Sequence, residues 1–120
     1  MAVQIVWFEV PVQELDRAIG FYSAVLGSPV KKESFPQMTI GLLPGAGEDS
    51  SGCLYIAEDN QPSATGPLLY FSCEGRLDAA VAAVESHGGK VLKPKHAIGP
   101  YGFRSIVLDS EGNRIALHSH

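Results

Sequence analysis

The 120-residue sequence lacks most of the features that reveal a function directly. Cysteine is scarce: Cys53 and Cys73 show neither CxxC spacing nor a flanking histidine cluster. A disulfide framework or redox pair is therefore not expected, and both read as small apolar core or wall residues. Basic charge is also short, with 9 Lys and Arg against 13 Asp and Glu and a net charge of −4, which argues against nucleic acid as a partner. No apolar run approaches the roughly 18 residues that a membrane helix needs. The opening Met1-Ala2-Val3-Gln4 has no charged n-region and no long apolar stretch after it, so no signal peptide is expected and a cytoplasmic location is. Gly45-Ala46-Gly47 lacks the Lys-Ser/Thr of a phosphate loop, and Ser50-Ser51-Gly52 has no nucleophile-elbow setting.

What is present is an ordinary globular composition, 45% hydrophobic and 18% charged, and an internal repeat. Leu15-Asp16-Arg17-Ala18-Ile19 meets Leu77-Asp78-Ala79-Ala80-Val81, with Gly27 against Gly89 and Val30 against Leu92, all 62 positions apart. The same offset pairs Trp7 with Leu69 and Leu54 with Ala116. A repeat of this length is one supersecondary unit used twice, and such a unit rarely buries its apolar face alone. Two copies side by side are expected to leave a groove between them for a ligand.

Each copy reads as one strand, one helix and three strands. Val3 to Val10 is rich in β-formers and Pro11 ends it. Leu15, Ala18, Ile19, Tyr22, Val25 and Leu26 follow the 3.6-residue period over a helix from about Gln13 to Leu26, which Gly27 stops. Strands follow at Val30 to Ser34, Gln37 to Leu43 and Gly52 to Ala57, with Pro44 to Ser51 as a loop. The second copy runs strand Pro67 to Cys73, helix Leu77 to His87, and strands Lys90 to Lys95, Phe103 to Asp109 and Arg114 to His118. Asp109-Ser110-Glu111-Gly112-Asn113 is a hairpin turn with Gly112 or Asn113 available for positive φ. The fold class is α+β, a duplicated βαβββ module with the helices on one sheet face. The organisation is one domain made of modules 1–58 and 67–120 joined by a polar linker, 59–66.

Three segments carry a family resemblance: the run from Val12 to Tyr22 with Val25-Leu26-Gly27, Gly99-Pro100-Tyr101-Gly102-Phe103, and Asp109 to Ile115. With the duplication, they resemble the vicinal oxygen chelate superfamily of glyoxalase I, extradiol dioxygenases, and bleomycin- and fosfomycin-resistance proteins. The chain looks most like its small glyoxalase-like members. The resemblance implies a cup of curved sheets, a homodimer, and, in metal-dependent members, four His or Glu ligands on first and fourth strands. Here those positions fall on Trp7, Leu69 and near Leu54 and Ala116, none of which carries a donor for a divalent ion. No metal ligand and no cofactor is assigned, although a divalent metal held elsewhere is left open.

Side chains repeat every two residues along a strand, so Glu9 shares a face with Trp7, and His118 with Ala116. Val6, Phe8, Val10, Ile115 and Leu117 suit the helix-packed face, which turns Glu9 and His118 into the cup. There they form a candidate acid/base pair. The alternatives are a rim carboxylate paired with Lys or Arg and a solvated terminal histidine. Tyr101, in a glycine-bearing loop after His96, could close over the cup mouth or belong to a plain strand connection. Arg104 could hold an anionic group by a bidentate contact or form a surface ion pair. The expected ligand site comprises Trp7, Glu9, Met38, Leu54, Leu69, Phe71, Tyr101, Arg104, Ala116 and His118. The expected function is binding of a small, partly apolar molecule in the cup without the usual metal site. A metal-dependent lyase, isomerase or dioxygenase of the glyoxalase type is the alternative. A third possibility is an interaction module whose cup is filled.

Overall fold

A computed structural model describes residues 2–45 and 52–120, so positions 46–51 of the expected Pro44–Ser51 loop lie outside the described residues. The elements are β1 (Phe8–Pro11), α1 (Leu15–Leu26), β2 (Lys31–Phe35), β3 (Met38–Leu42) and β4 (Gly52–Tyr55). The second module has β5 (Leu69–Ser72), α2 (Leu77–Ser86), β6 (Lys90–Ala97), β7 (Phe103–Leu108) and β8 (Arg114–Ser119). A single 3-10 turn, Gly99–Tyr101, joins β6 to β7. The order is βαβββ twice. Two four-stranded mixed sheets result, ordered β1-β4-β3-β2 and β5-β8-β7-β6, with parallel pairing only between the first and fourth strands of each. No helix among the described residues is long and apolar enough to cross a membrane.

The first strand is shorter than expected. Val3, Ile5 and Val6 are exposed and precede β1, because their β-forming side chains find no pairing strand. Propensity without a partner does not make a strand. The helices keep their expected stripes. Ala18, Phe21, Tyr22 and Val25 of α1 and Leu77, Ala80 and Val84 of α2 are buried in one core with Val10, Leu54, Ile115 and Leu117. Each large side chain buried there contributes about 1.5–3 kcal/mol. Gly41 is needed where α1 crosses β3: a Cβ there would stand 3.1 Å from Ile19 and 3.3 Å from Leu54.

The two modules are locked together through the ends of α1. The start has no local side-chain cap, since Glu14 makes none, and at the end the Gly27 N–H satisfies only the Ser23 carbonyl while the last turn holds no basic residue. Glu111, in the β7–β8 turn, supplies the first cap from the other module. Its Oε1 accepts from the backbone N–H groups of Gln13 and Glu14, both at 2.9 Å, and its Oε2 accepts from Arg17 Nε at 2.8 Å. Arg76, at the start of α2, supplies the second by donating from Nη1 to the Val25 carbonyl at 2.6 Å. A carboxylate at the N-terminus and a guanidinium at the C-terminus match the helix dipole.

Around Glu111, the turn is tied inward as well. Asp109 accepts from the Tyr22 hydroxyl at 2.6 Å and from the backbone N–H groups of Glu111 and Asn113. Asn113 Nδ2 donates to the Pro11 carbonyl at 2.8 Å. Gly112, at φ 98°, takes the positive-φ position. Burial by itself would raise the Glu111 carboxyl, but Arg17, the Glu14 and Gln13 N–H groups and Ser110 hold it down at about 2.

Two expectations follow. Glu111→Gln should cost about 2–3 kcal/mol in urea unfolding, since the orphaned donors stay partly buried. A depressed carboxyl stabilises the fold fully above its unfolded value of 4.5 and loses that contribution as pH falls towards about 2. The wild-type urea midpoint should therefore drop more steeply than that of Glu111→Gln across this window; parallel profiles would contradict the role given to Glu111. The second concerns the thiols. Cys53 and Cys73 are free and buried, and burial raises both above the ordinary thiol value. Native protein at pH 8 should react with a disulfide reagent only on the unfolding timescale, while denatured protein should yield both thiols at once.

Candidate functional site

Strand register decides which side chains can share a site. In the first module, Glu9 pairs with Cys53 and Val10 with Leu54. In the second, Leu69 pairs with Ile115, Tyr70 with Ala116, Phe71 with Leu117 and Ser72 with His118. Phe8, Val10, Ile115 and Leu117 turn to the helices, as expected. Leu54, Leu69 and Phe71 turn the same way, contrary to the expectation that they line the open face. Leu54 is fully buried, and Phe71 packs against Phe8 and Tyr22 with ring centroids 5.8 and 5.6 Å apart. The cause is in the connections. Three residues separate β1 from α1, but four separate β5 from α2. The offset of 62 therefore holds for the helices, while the first strands match at one residue less and the fourth at one more. In that register Tyr70 corresponds to Glu9, and Ala116 to Cys53.

Both helix-packed faces turn to one shared core, so the opposite faces turn outward. One chain presents two open faces rather than a single closed cup. On the first lie Trp7, Glu9 and Cys53. The Cys53 thiol is raised by burial and then by the Glu9 charge, against a hydrogen bond from Trp7. Met38 lies at the far end of that module, in a separate cavity of about 580 Å3 with Leu15 and Tyr55. Leu69 and Phe71 border an apolar groove of about 730 Å3 along β5, with Phe8, Leu26 and Leu43. Glu9 borders another, of about 310 Å3, beside the linker. The expected site residues are thus spread over several places, and Glu9 and His118 line different cavities.

The second open face gathers the remaining ones. Ser72, His118, Arg104 and His96 stand in register on β5, β8, β7 and β6, a polar row straight across the sheet. Arg104 donates from Nε to His96 Nε2 at 3.0 Å and from Nη1 to the Tyr70 hydroxyl. Its guanidinium also lies 5.9 Å from the Tyr70 ring centroid. His118 Nε2 meets the Tyr101 carbonyl at 2.5 Å, and its ring meets Tyr70 edge-on at 6.3 Å. Tyr70, Ile98, Tyr101, Arg104 and His118 line an open cavity of about 440 Å3. Ala116 lies between Tyr70 and Ile106 in the register and is fully buried, so it forms floor rather than wall.

Tyr70 is the member of this group that sequence reasoning missed, because the uniform repeat offset put Leu69 in its place. The sequence marks His96 only as the residue before the Tyr101 loop; its pairing with Arg104 follows from the antiparallel β6–β7 register. The linker is pinned to this module: Ser63 N–H donates to Asn113 Oδ1 at 3.1 Å, and Arg114 N–H to the Ser63 carbonyl at 3.2 Å. His87 closes the end of α2, its Nδ1 lying 2.9 Å from the Ala83 carbonyl.

The usual metal positions of the resembled family do not suit an ion in either register. Trp7, Leu54, Leu69 and Ala116 offer no donor. The corrected register pairs Trp7 with Leu68 and Ala116 with Cys53, so the Cys53 thiol is the one donor it brings in, too few for a closed site. Within one chain these side chains divide between two outward faces.

The profile described as the Glyoxalase/Bleomycin resistance protein/Dioxygenase superfamily matches residues 4–117. No curated protein matches. Among solved structures, a glyoxalase/bleomycin resistance protein from Albidiferax ferrireducens T118 is similar at TM-score 0.70 and 21% identity, over 93% of this chain and 94% of that one. A glyoxalase/bleomycin resistance protein/dioxygenase family enzyme from Burkholderia phytofirmans PsJN is similar at TM-score 0.73 and 15% identity, over 98% of both chains. The fosfomycin resistance protein FosX from Listeria monocytogenes is similar at TM-score 0.69 and 14% identity, over 100% of this chain and 95% of that one. The profile match and the twice-used βαβββ module agree: the chain belongs to the Glyoxalase/Bleomycin resistance protein/Dioxygenase superfamily.

Proposed function

We propose that the protein binds a small molecule with an anionic group and a flat, partly apolar body on the open face of the second sheet. The binding uses no metal at the family's usual positions. One observation carries this reading: Arg104 is clamped on its Nε and Nη1 sides by His96 and Tyr70, which leaves Nη2 without a protein partner among the described residues. A guanidinium held by two neighbours loses little freedom when it meets a carboxylate or phosphonate, which favours affinity. His118 stands next to it in the polar row, and Tyr70, Tyr101 and Ile98 supply apolar wall for the rest of the ligand.

The reading includes a homodimer. An outward, half-open face excludes water poorly, and a second copy laid across it would complete a cup. The exposed Trp7, Tyr70 and Tyr101 side chains support this, since each leaves apolar surface in water. Glu9 of one copy and His118 of the other would meet only in such a dimer.

The test is calorimetric titration with a panel of aromatic carboxylates and phosphonates, with Trp7 fluorescence as a second readout. At least one panel member should bind, and Arg104→Ala should weaken it about 10- to 100-fold, the value of a hydrogen bond to a charged group. Arg104→Lys should recover only part of that loss, because the fork is gone. Flat heats and flat fluorescence across the panel would contradict the reading, as would full affinity in Arg104→Ala.

A further inference from the structure

We propose that Glu74, His118 and His120 form a binding site for a borderline divalent cation such as zinc or nickel at the rim of the second sheet. Glu74 sits in the turn that leaves β5, His118 near the end of β8 and His120 just beyond it. One ligand atom from each, a carboxylate oxygen and two imidazole nitrogens, lies within 4.8 Å of the other two. The site uses none of the family's usual positions, and it shares His118 with the polar row but does not need Arg104 or the ligand proposed above.

The three groups are held by contacts that leave their lone pairs usable. His118 Nε2 faces the Tyr101 carbonyl, so that nitrogen carries the proton and Nδ1 keeps its lone pair. A backbone carbonyl on the far nitrogen is the usual device for fixing a metal-binding imidazole. The Glu74 carboxylate receives the His120 backbone N–H at 3.1 and 3.2 Å and is joined by the Ser119 hydroxyl at 3.3 Å. Gly75 N–H in turn donates to that hydroxyl at 3.1 Å, which ties the Glu74 turn to the end of β8. The His118 and His120 rings stand edge to face, with centroids 5.0 Å apart.

Metal bonds of about 2.0–2.2 Å in a tetrahedral shell place donors about 3.4 Å apart. The Glu74 and His120 side chains are exposed, so rotation about their own bonds covers the remaining distance without moving β8. The contact that must open is the one between His120 Nδ1 and Glu74 Oε1, now 2.9 Å long. Two imidazoles and one carboxylate suit zinc or nickel better than calcium or magnesium, which prefer oxygen throughout. Three protein donors leave at least one position for water or an outside ligand.

The experiment uses tag-free full chain, stripped with chelator and dialysed. Zinc is titrated against a chromogenic competitor, and cobalt(II) is added separately to read its visible absorption. One ion per chain is expected, with the cobalt bands of a low-coordinate site. Glu74→Gln and His120→Ala should each weaken zinc by at least about tenfold, and His118→Ala likewise. His87→Ala, at an exposed histidine elsewhere, should leave it unchanged. Circular dichroism melting of each variant checks that the fold is intact, and both Glu74 and His120 carry exposed side chains that packing does not need. Absence of zinc binding by the wild type would overturn the proposal. So would zinc held equally well by Glu74→Gln and His120→Ala, which would place the ion elsewhere.

Discussion

Everything in this molecule is arranged around one helix that is capped from outside its own module. Isolated, α1 would leave donors bare at its start and carbonyls bare at its end. Glu111 and Arg76, both from the second module, satisfy those groups with charges of the sign the helix dipole favours. Docking the modules therefore completes α1, and completing α1 fixes how the modules sit. Tyr22 adds a third tie, donating from within α1 to Asp109 of the same turn that carries Glu111. With both helices drawn into one core, the helix-free faces of the two sheets have no direction left but outward.

That constraint explains where a site can form. A closed cup within one chain would need the two open faces to converge, and the shared core prevents it. The first face carries a buried thiol beside Trp7 and Glu9, while the second carries a row of hydrogen-bonding side chains across four strands. Of the two, the second has groups suited to holding an anion, because Arg104 is already oriented by neighbours on β5 and β6.

Much of the fold was legible in the sequence because its signals are local. The stripe from Leu15 to Leu26 and the stop at Gly27 define α1, and the repeat defines α2 almost to the residue. The Asp109–Asn113 turn was legible as a turn. Its role as a cap was not, since nothing local links Glu111 to Gln13 and Glu14 across 98 and 97 positions. The face of each strand was legible only in part. Parity within a strand placed Glu9 and His118 correctly on open faces, but transferring positions between modules failed for Leu54, Leu69 and Phe71. One additional residue between β5 and α2 is enough to reverse a strand's faces, and helix periodicity carries no record of it. Tyr70 was lost for the same reason. The row of Ser72, His118, Arg104 and His96 depends on pairing among four strands, which no single segment encodes.

The central claim is that ligand chemistry belongs to the second open face. Amide chemical-shift mapping during titration with an aromatic carboxylate tests it most directly. The account predicts shifts clustered at Tyr70, Ser72, His96, Tyr101, Arg104 and His118. Shifts confined to the groove bordered by Phe8, Leu26, Leu43 and Phe71, with the polar row silent at saturation, would contradict it.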